Sequence, residues 1–495
     1  MRGMDVRPHP FRPLGTLPAA PLAAYTGRWN TRLAAHLLRR AGFGGSPTDV
    51  ARLAQGSLHD AVTSLVVFPS TERLANAPAD LPSDRELAAR IMQARSNMTP
   101  GAPDANVDEM RKQLRMQLRA EIVSLQLWWL DRMIASPAPL QEKMTLFWHG
   151  HFTTAAIQKG VSPTATLNQN ALFRSFALGN VRELTQRAAV DPAMLRYLDN
   201  IHNEAAHPNE NFARELMELY TLGIGNYTET DVREAARAWT GLRIRRATGD
   251  VYLNPRLHDA GSKTFLGRTG DFTGTDIVNI VFEQPAAARF FATKLLTFFV
   301  YADPEPELVD GVAGLLREHD FELAPVMTAL LSSNVFYSPR AYRALVKSPV
   351  EFVVGSYQLF DVAAAQPAAL DALRRMTQVL FYPPNVKGWP GGSAWLNTST
   401  VLARENFANA LMTANVVGGT RWLLAPGPDS PERAAAAIVA AVAQDDVSAA
   451  SRARLEAYLS GTGSAALGAL SAENFAQRMR GGAYLTMAMP AYQLA

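Results

Sequence analysis

Helical periodicity constrains this chain more than any other feature, because it recurs segment after segment from residue 29 to residue 414 with one clear interruption. In RWNTRLAAHLLRR (29–41), Leu33, His36, Leu37 and Leu38 fall on or beside one face. GFGGSPTDVARLAQG then supplies a glycine stop and a cap at Ser46 or Thr48 for the next helix. A Pro-, Ala- and Asp-rich loop is expected over 75–107, with a helix around 84–95. A long helix follows over about 107–135, with Leu118, Ile122, Leu125 and Trp129 on its apolar face, and another runs from near Pro139 into KMTLFWHGHFTT. Helices are further expected over 168–180, 182–198, 209–222, 229–240, 274–284, 285–301, 305–318, 322–332, 340–346, 349–364, 366–380 and 398–414. The interruption is LRIRRATGDVYLN, whose alternation about Thr-Gly-Asp predicts a small β-hairpin near 242–256; HDAGSKTFLG after it reads as loop. The expected fold is all-α (mainly α). An extended leader (1–28) precedes a large multi-helix domain (29–419) with an insertion at 242–268 and a Trp-rich loop at 382–397, and a helical appendage (420–495) packs on that domain.

Several function classes drop out on composition. Apolar residues at 48% and charged residues at 19% suit a soluble globular chain with a sizeable core. A net charge of +3, with no basic stripe interleaved with aromatics, argues against nucleic acid as partner. The absence of cysteine excludes disulfides, thiolate metal sites and thiol nucleophiles. No apolar run reaches the roughly 18 residues of a membrane span; ARFFATKLLTFFVYA (288–302) is broken by Lys294. Prolines at 13, 18 and 21 interrupt the apolar part of the leader. The chain is periplasmic or exported if the leader works, and cytoplasmic otherwise. No phosphate-binding loop, dinucleotide fingerprint, H-E-x-x-H or G-x-S-x-G is present.

Four clusters can carry chemistry. In PNENFARELMELYTLGIGNYTE (208–229), Asn211, Glu215, Glu218 and Leu222 share one helical stripe, and Arg214 is the only cation. The carboxylates either cap, enter a buried hydrogen-bond network or bind metal. The second cluster is FWHGHF (147–152). His149 and His151 point about 200° apart on a helix, so they converge only if the helix ends at Gly150. Should they converge, His149, His151, Glu215 and Glu218, with Asp199 of YLDN as a further oxygen ligand, form a set suited to a divalent Fe, Mn or Zn ion. The bland alternative places each ring in the core on its own partner. Third, His258, Asp259 and Lys263 of LHDAGSKTFLG can act as acid, base and anion binder, or merely fix their loop. Fourth, PPNVKGWPGGSAWLN offers Asn385, Lys387, Trp389, Trp395 and Asn397, a mixture suited to sugar or other polar-ring ligands; the tryptophans can equally fill a gap between helices.

Taken in order, AHLLRRAGFGGSPTD, KMTLFWHGHFTT, YLDN, PNENFARELMELYTLGIGNYTETDVREAARAWTGL, HDAGSKTFLG, KSPVEFVVGSYQLF, PPNVKGWPGGSAWLN, ARENFANAL and YLTMAMPAYQLA resemble the bacterial family known as domain of unknown function 1800. The resemblance implies a mainly helical protein, often exported and often encoded beside a family with an alkaline-phosphatase-like fold. Tyr220 stands where some relatives have His. The resemblance transfers no catalytic residue. Three readings follow. One is a metal-dependent enzyme, hydrolase or oxidoreductase, acting on a polar polymer or glycoconjugate. The second is a non-catalytic glycan- or protein-binding assembly factor working with the exported partner. The third is a purely structural role for every polar cluster, which requires Arg214, Arg233 and Arg237 to reach the carboxylates.

Overall fold

The computed structural model describes residues 16–68, 75–79, 81–82, 86, 89–90, 104–245, 248–413, 421–425, 430–461 and 470–495. Most of the helix expected around 84–95, and residues 1–15 of the leader, lie outside them. The chain is mainly α, as its periodicity predicts. The first helices are α1 (Thr31–Ala41), α2 (Pro47–Gln55), α3 (Leu58–Val66), α4 (Asp104–Ala135), α5 (Pro139–His151) and α6 (Pro163–Ser175). Next come α7 (Val181–Ala189), α8 (Pro192–Tyr197), α9 (Asn211–Glu215), which runs on as a π-helical turn over Leu216–Thr221, and α10 (Glu229–Ala238). After the hairpins follow α11 (Gly274–Glu283), α12 (Pro285–Phe299), α13 (Pro306–Glu318), α14 (Leu323–Leu331), α15 (Pro349–Leu359), α16 (Pro367–Arg375) and α17 (Thr398–Thr413). The remainder is α18 (Arg421–Leu424), α19 (Pro431–Ala443), α20 (Ala449–Ser460), α21 (Ala472–Met487) and α22 (Pro490–Gln493).

Local chemistry sets these boundaries. Ser46 caps α2 and Thr228 caps α10, each in a reciprocal box with an aspartate three residues on. Proline occupies the first turn of many helices, where its missing N–H costs nothing. That preference explains a difference from the expected single helix over 182–198. Pro192 cannot continue α7, and Asp191 caps α8 instead, accepting from the backbone N–H groups of Ala193 and Met194. Residues 340–346 form a turn with Arg343 at φ 51°, not the expected helix. Its guanidinium binds Asp446 and the Ala443 carbonyl, fixing a conformation that helical pattern alone would not choose.

Among the described residues the sheets are two antiparallel hairpins. β1 (Leu242–Ile244) pairs with β2 (Val251–Leu253), with Arg243 opposite Tyr252, where the sequence predicts a hairpin. The stretch read as loop contains a second one, β3 (Lys263–Phe265) with β4 (Arg268–Gly270). Leu266 and Gly267 turn it with φ of 46° and 79°, the two positive values that a tight two-residue hairpin turn requires.

The buried apolar residues form two clusters. One is built by α1–α3 and most of α5–α14, the other by α4 and α15–α22. Helix α5 lies between them, giving Phe147 and Trp148 to the first and Leu146 to the second. Every residue from Leu140 to His149 is buried. A polar side chain so placed needs an internal partner, since leaving it bare costs a few kcal/mol, about 1–3. The partners are present. Glu142 takes a bidentate bond from Arg174 at 2.8 and 2.9 Å, together with Arg132 and the Trp129 indole. Lys143 donates to the Gly42 carbonyl and pairs with Glu351 of α15. The seam between the two cores therefore runs along a helix held by ion pairs, and it opens into a cavity at that helix's C-terminal end.

Candidate functional site

Helix α5 does not stop at Gly150; it continues through His151. The two imidazoles therefore stay on opposite faces. His149 Nε2 lies 3.1 Å from the Asn170 amide of α6, with its ring against Trp129, Phe173 and Phe381. Burial, with Arg174 nearby, lowers its pKa to about 3. His151 Nε2 lies 2.9 Å from the carbonyl oxygen of Tyr220. A carbonyl only accepts, so Nε2 carries the proton and Nδ1 is a bare acceptor, buried and without a protein partner. Burial, and then Lys294, hold the His151 pKa well below its ordinary value, so the ring is neutral.

The π turn makes this contact possible. Leu222 and Gly223 both donate to the Met217 carbonyl, and Gly223 closes the turn at φ 80°. Such bulges displace the hydrogen-bond ladder by one residue and recur at functional sites. Here the Tyr220 carbonyl is the one that meets His151, and Glu218, from the same turn, accepts from the Tyr227 hydroxyl at 3.1 Å.

The Pro- and Gly-rich loop covers the other side. Gly388 sits at φ 84°, so close to α5 that a Cβ there would lie 2.2 Å from the Gly150 carbonyl oxygen. A Cβ on Gly150 would touch the Trp389 ring at 3.6 Å. The glycine between the histidines thus admits the loop rather than ending the helix. The result is a cavity of about 930 Å³, within the ordinary range for small-ligand sites. Phe147 and Phe298 belong to its apolar lining and Trp389 and Trp395 to its loop wall; Lys294, Arg340 and Lys387 supply cations. Ser348 and Glu351, the capping box of α15, form another edge, with Glu351 committed to Lys143. A smaller pocket of about 190 Å³ shares Gly150, His151, Lys294 and Lys387 with it and adds Glu218.

Three cations, Lys294, Arg340 and Lys387, face two carboxylates, Asp303 and Glu351, in this lining. Trp389 Nε1, Trp395 Nε1 and Arg340 Nε are buried without a partner, although Arg340 also pairs with Glu305. Among the described residues, Lys294 and Lys387 form no ion pair; Lys294 rests over the Phe290 ring, and burial lowers its pKa.

The residues singled out in the sequence divide in two. His151, Glu218, Lys387, Trp389 and Trp395 meet at the cavities. Glu215 lies half-buried just behind, its pKa raised by burial and by Glu218 against the pull of Lys387 and Arg214. Asn385 accepts from the Lys387 backbone and Asn397 from that of Thr400, so both shape the loop. Asp199 is held by His202 at 2.6 Å. His258 Nδ1 lies 2.9 Å from the Thr240 carbonyl, Asp259 pairs with Arg237 at 2.7 Å, and the buried Lys263 ammonium donates to the Asp259 and Gly261 carbonyls. Arg214 pairs with Glu210 and Glu229, and Arg233 with Thr230, so neither forms an ion pair with Glu215 or Glu218. Among the described residues no three His, Asp or Glu side chains are placed to share a metal ion. The set of His149, His151, Glu215, Glu218 and Asp199 therefore does not fit one as it stands.

Lys294, Arg340, Phe298 and Glu351 escaped the sequence reading. Lys294 had a signal: with Arg289 it is one of two charges inside the apolar run 288–302, and the one that breaks its middle. Among known proteins, neither a curated protein nor a solved structure matches the chain. A family model described as protein of unknown function, DUF1800, matches residues 36–494, nearly the whole length, and the protein belongs to that family.

Proposed function

We infer that the cavity binds a polar-ring ligand, a segment of a glycan or glycoconjugate, with Trp389 and Trp395 offering ring faces and the surrounding donors taking its oxygens. One observation carries this reading: a single cavity combines two indoles on a glycine-pinned loop with two lysines that form no ion pair. Sugars present apolar ring faces and many acceptor oxygens, which is the complement of that wall. The test is retention on a glycan array together with quenching of tryptophan fluorescence. Wild type should retain a subset of glycans and Trp389→Ala should lose them; retention unchanged in Trp389→Ala, or no glycan retained by wild type, overturns the reading.

A catalytic role is favoured by one specific feature. The His151 ring lines both cavities and is held in a single tautomer by a backbone carbonyl, leaving Nδ1, buried beneath the wall, as a free proton acceptor. That role predicts a bound glycan altered by wild type and bound unaltered by His151→Phe, detected by mass spectrometry. A glycan that wild type also returns intact counts for a binding protein.

A further inference from the structure

The smaller pocket has a composition that the larger one lacks. Two lysines without carboxylate partners, the His151 ring and one carboxylate surround about 190 Å³ at a point where both cavities share four residues. A single water needs only on the order of 10–15 Å³, so the pocket has room for a substituent larger than a solvent molecule. Resting on the glycan reading above, we propose that this pocket is an acidic-sugar subsite, taking an oxyanion substituent on Lys294 and Lys387 and a neighbouring hydroxyl on Glu218, against the His151 ring.

The argument is one of matching donors to acceptors. Lys294 sits on α12 in a half-buried position where its only described partner is the Phe290 ring at 5.4 Å. Burial without a counter-ion is costly for an ammonium, and an incoming oxyanion removes that cost. Lys387 adds a second positive charge from the opposite wall, on the loop that Gly388 pins to α5. A bare inorganic anion would satisfy only half the pocket, because Glu218 is an acceptor and repels it. Glu218 calls for donors, and hydroxyl groups beside a carboxylate, sulfate or phosphate ester supply them. The pocket thus suits a sugar acid, whose ring hydroxyls donate beside its oxyanion, better than a fully ionised anion such as sulfate.

The experiment uses the full chain on an array pairing uronate, sulfated and phosphorylated oligosaccharides with neutral counterparts of the same rings, followed by calorimetry on the best pair. A charge-assisted contact should favour the acidic member by about tenfold or more, and the array identifies which oxyanion is taken. Lys387→Met, at an exposed position, and Lys294→Met should each reduce that preference while keeping affinity for the neutral partner. Inorganic sulfate alone should compete weakly or not at all. Equal binding of acidic and neutral members overturns the subsite and leaves the cavity reading intact. Loss of every glycan overturns both, and tight competition by sulfate alone overturns the sugar-acid assignment in favour of a simple anion site.

Discussion

Replacing Gly388 by alanine tests whether the cavity wall is built as described. Two costs arise at that position. The left-handed conformation, φ 84°, penalises any side chain by about 1–2 kcal/mol. The added methyl would also lie 2.2 Å from the Gly150 carbonyl oxygen, where contacts under 3.0 Å are essentially never seen. That oxygen is backbone in a buried helix and cannot swing aside, so the loop must lift by nearly an ångström. Overpacking of this kind costs about 1–3 kcal/mol in addition. Gly267, at φ 79° in the β3–β4 turn with nothing within 4 Å, isolates the first cost. Denaturant unfolding of both variants should show Gly267→Ala losing about 1–2 kcal/mol and Gly388→Ala about 2–5 kcal/mol. Gly388→Ala alone should also shift the tryptophan emission, through Trp389. Equal losses in the two variants would falsify the close packing of loop on helix, and with it the account of why Gly150 stands between the histidines.

Four further expectations follow from the same contacts. Glu142→Gln removes the buried charge that Arg174 and Arg132 share and should cost about 3–5 kcal/mol in chemical denaturation; a loss below 1 kcal/mol would mean that the pairing contributes little to the seam. Lys143→Met removes the counter-ion of Glu351, and adding Glu351→Gln, which keeps an acceptor for the Ser348 N–H, should recover part of the loss, as a double-mutant cycle would show. Because His149 is buried neutral with its pKa lowered to about 3, the unfolded chain binds the extra proton first as pH drops. Its stabilising contribution is thus whole above about pH 6.5 and falls by about 1.4 kcal/mol per unit between there and about pH 3; in His149→Gln the stability–pH slope should be shallower by that amount. Asp259→Ala should loosen the tie to Arg237 at a cost of about 1 kcal/mol, these groups being partly exposed, and leave cavity binding unchanged; loss of binding would relocate the site.

Much of the fold is legible because helix signals are local. The Thr228–Asp231 box, the Ser46 cap and the proline at the start of α5 lie within a few residues of the boundaries they set. The 242–256 hairpin was legible for the same reason, through alternation about a glycine turn. The second hairpin was not, because its strands have three residues each and its turn uses Leu266 at positive φ, a residue that no turn preference would select. At the site, the indoles, Lys387, His151 and Glu218 were visible as unusual local compositions. Their grouping was not, because it depends on a helix running one residue past Gly150 and on a π turn, neither of which has a periodicity to read. Metal-ligand patterns mislead here for a physical reason: His149 and His151 keep the angular separation of an unbroken helix, and each meets a different neighbour.

The partners of α5 also explain why the cavity lies at this end of it. Toward the N-terminal end, Glu142 and Lys143 are matched by arginines and by Glu351, so that half of the seam between the two cores is satisfied and closed. Toward the C-terminal end the matching stops: Gly150 has no side chain, and His151 uses one nitrogen and leaves the other bare. Lys294 and Lys387 approach from α12 and the loop without forming an ion pair, Glu218 being the one carboxylate of the pocket they share. A fold that pairs its buried charges along one half of a helix and leaves cations, indole N–H groups and an imidazole nitrogen unpaired around the other has its polar deficit concentrated at one place. Buried groups in that condition cost stability unless something completes them, and filling such a deficit is what a ligand rich in hydroxyls and negative oxygens does. The arrangement is half of a hydrogen-bond network, and the glycan proposed above would supply the other half.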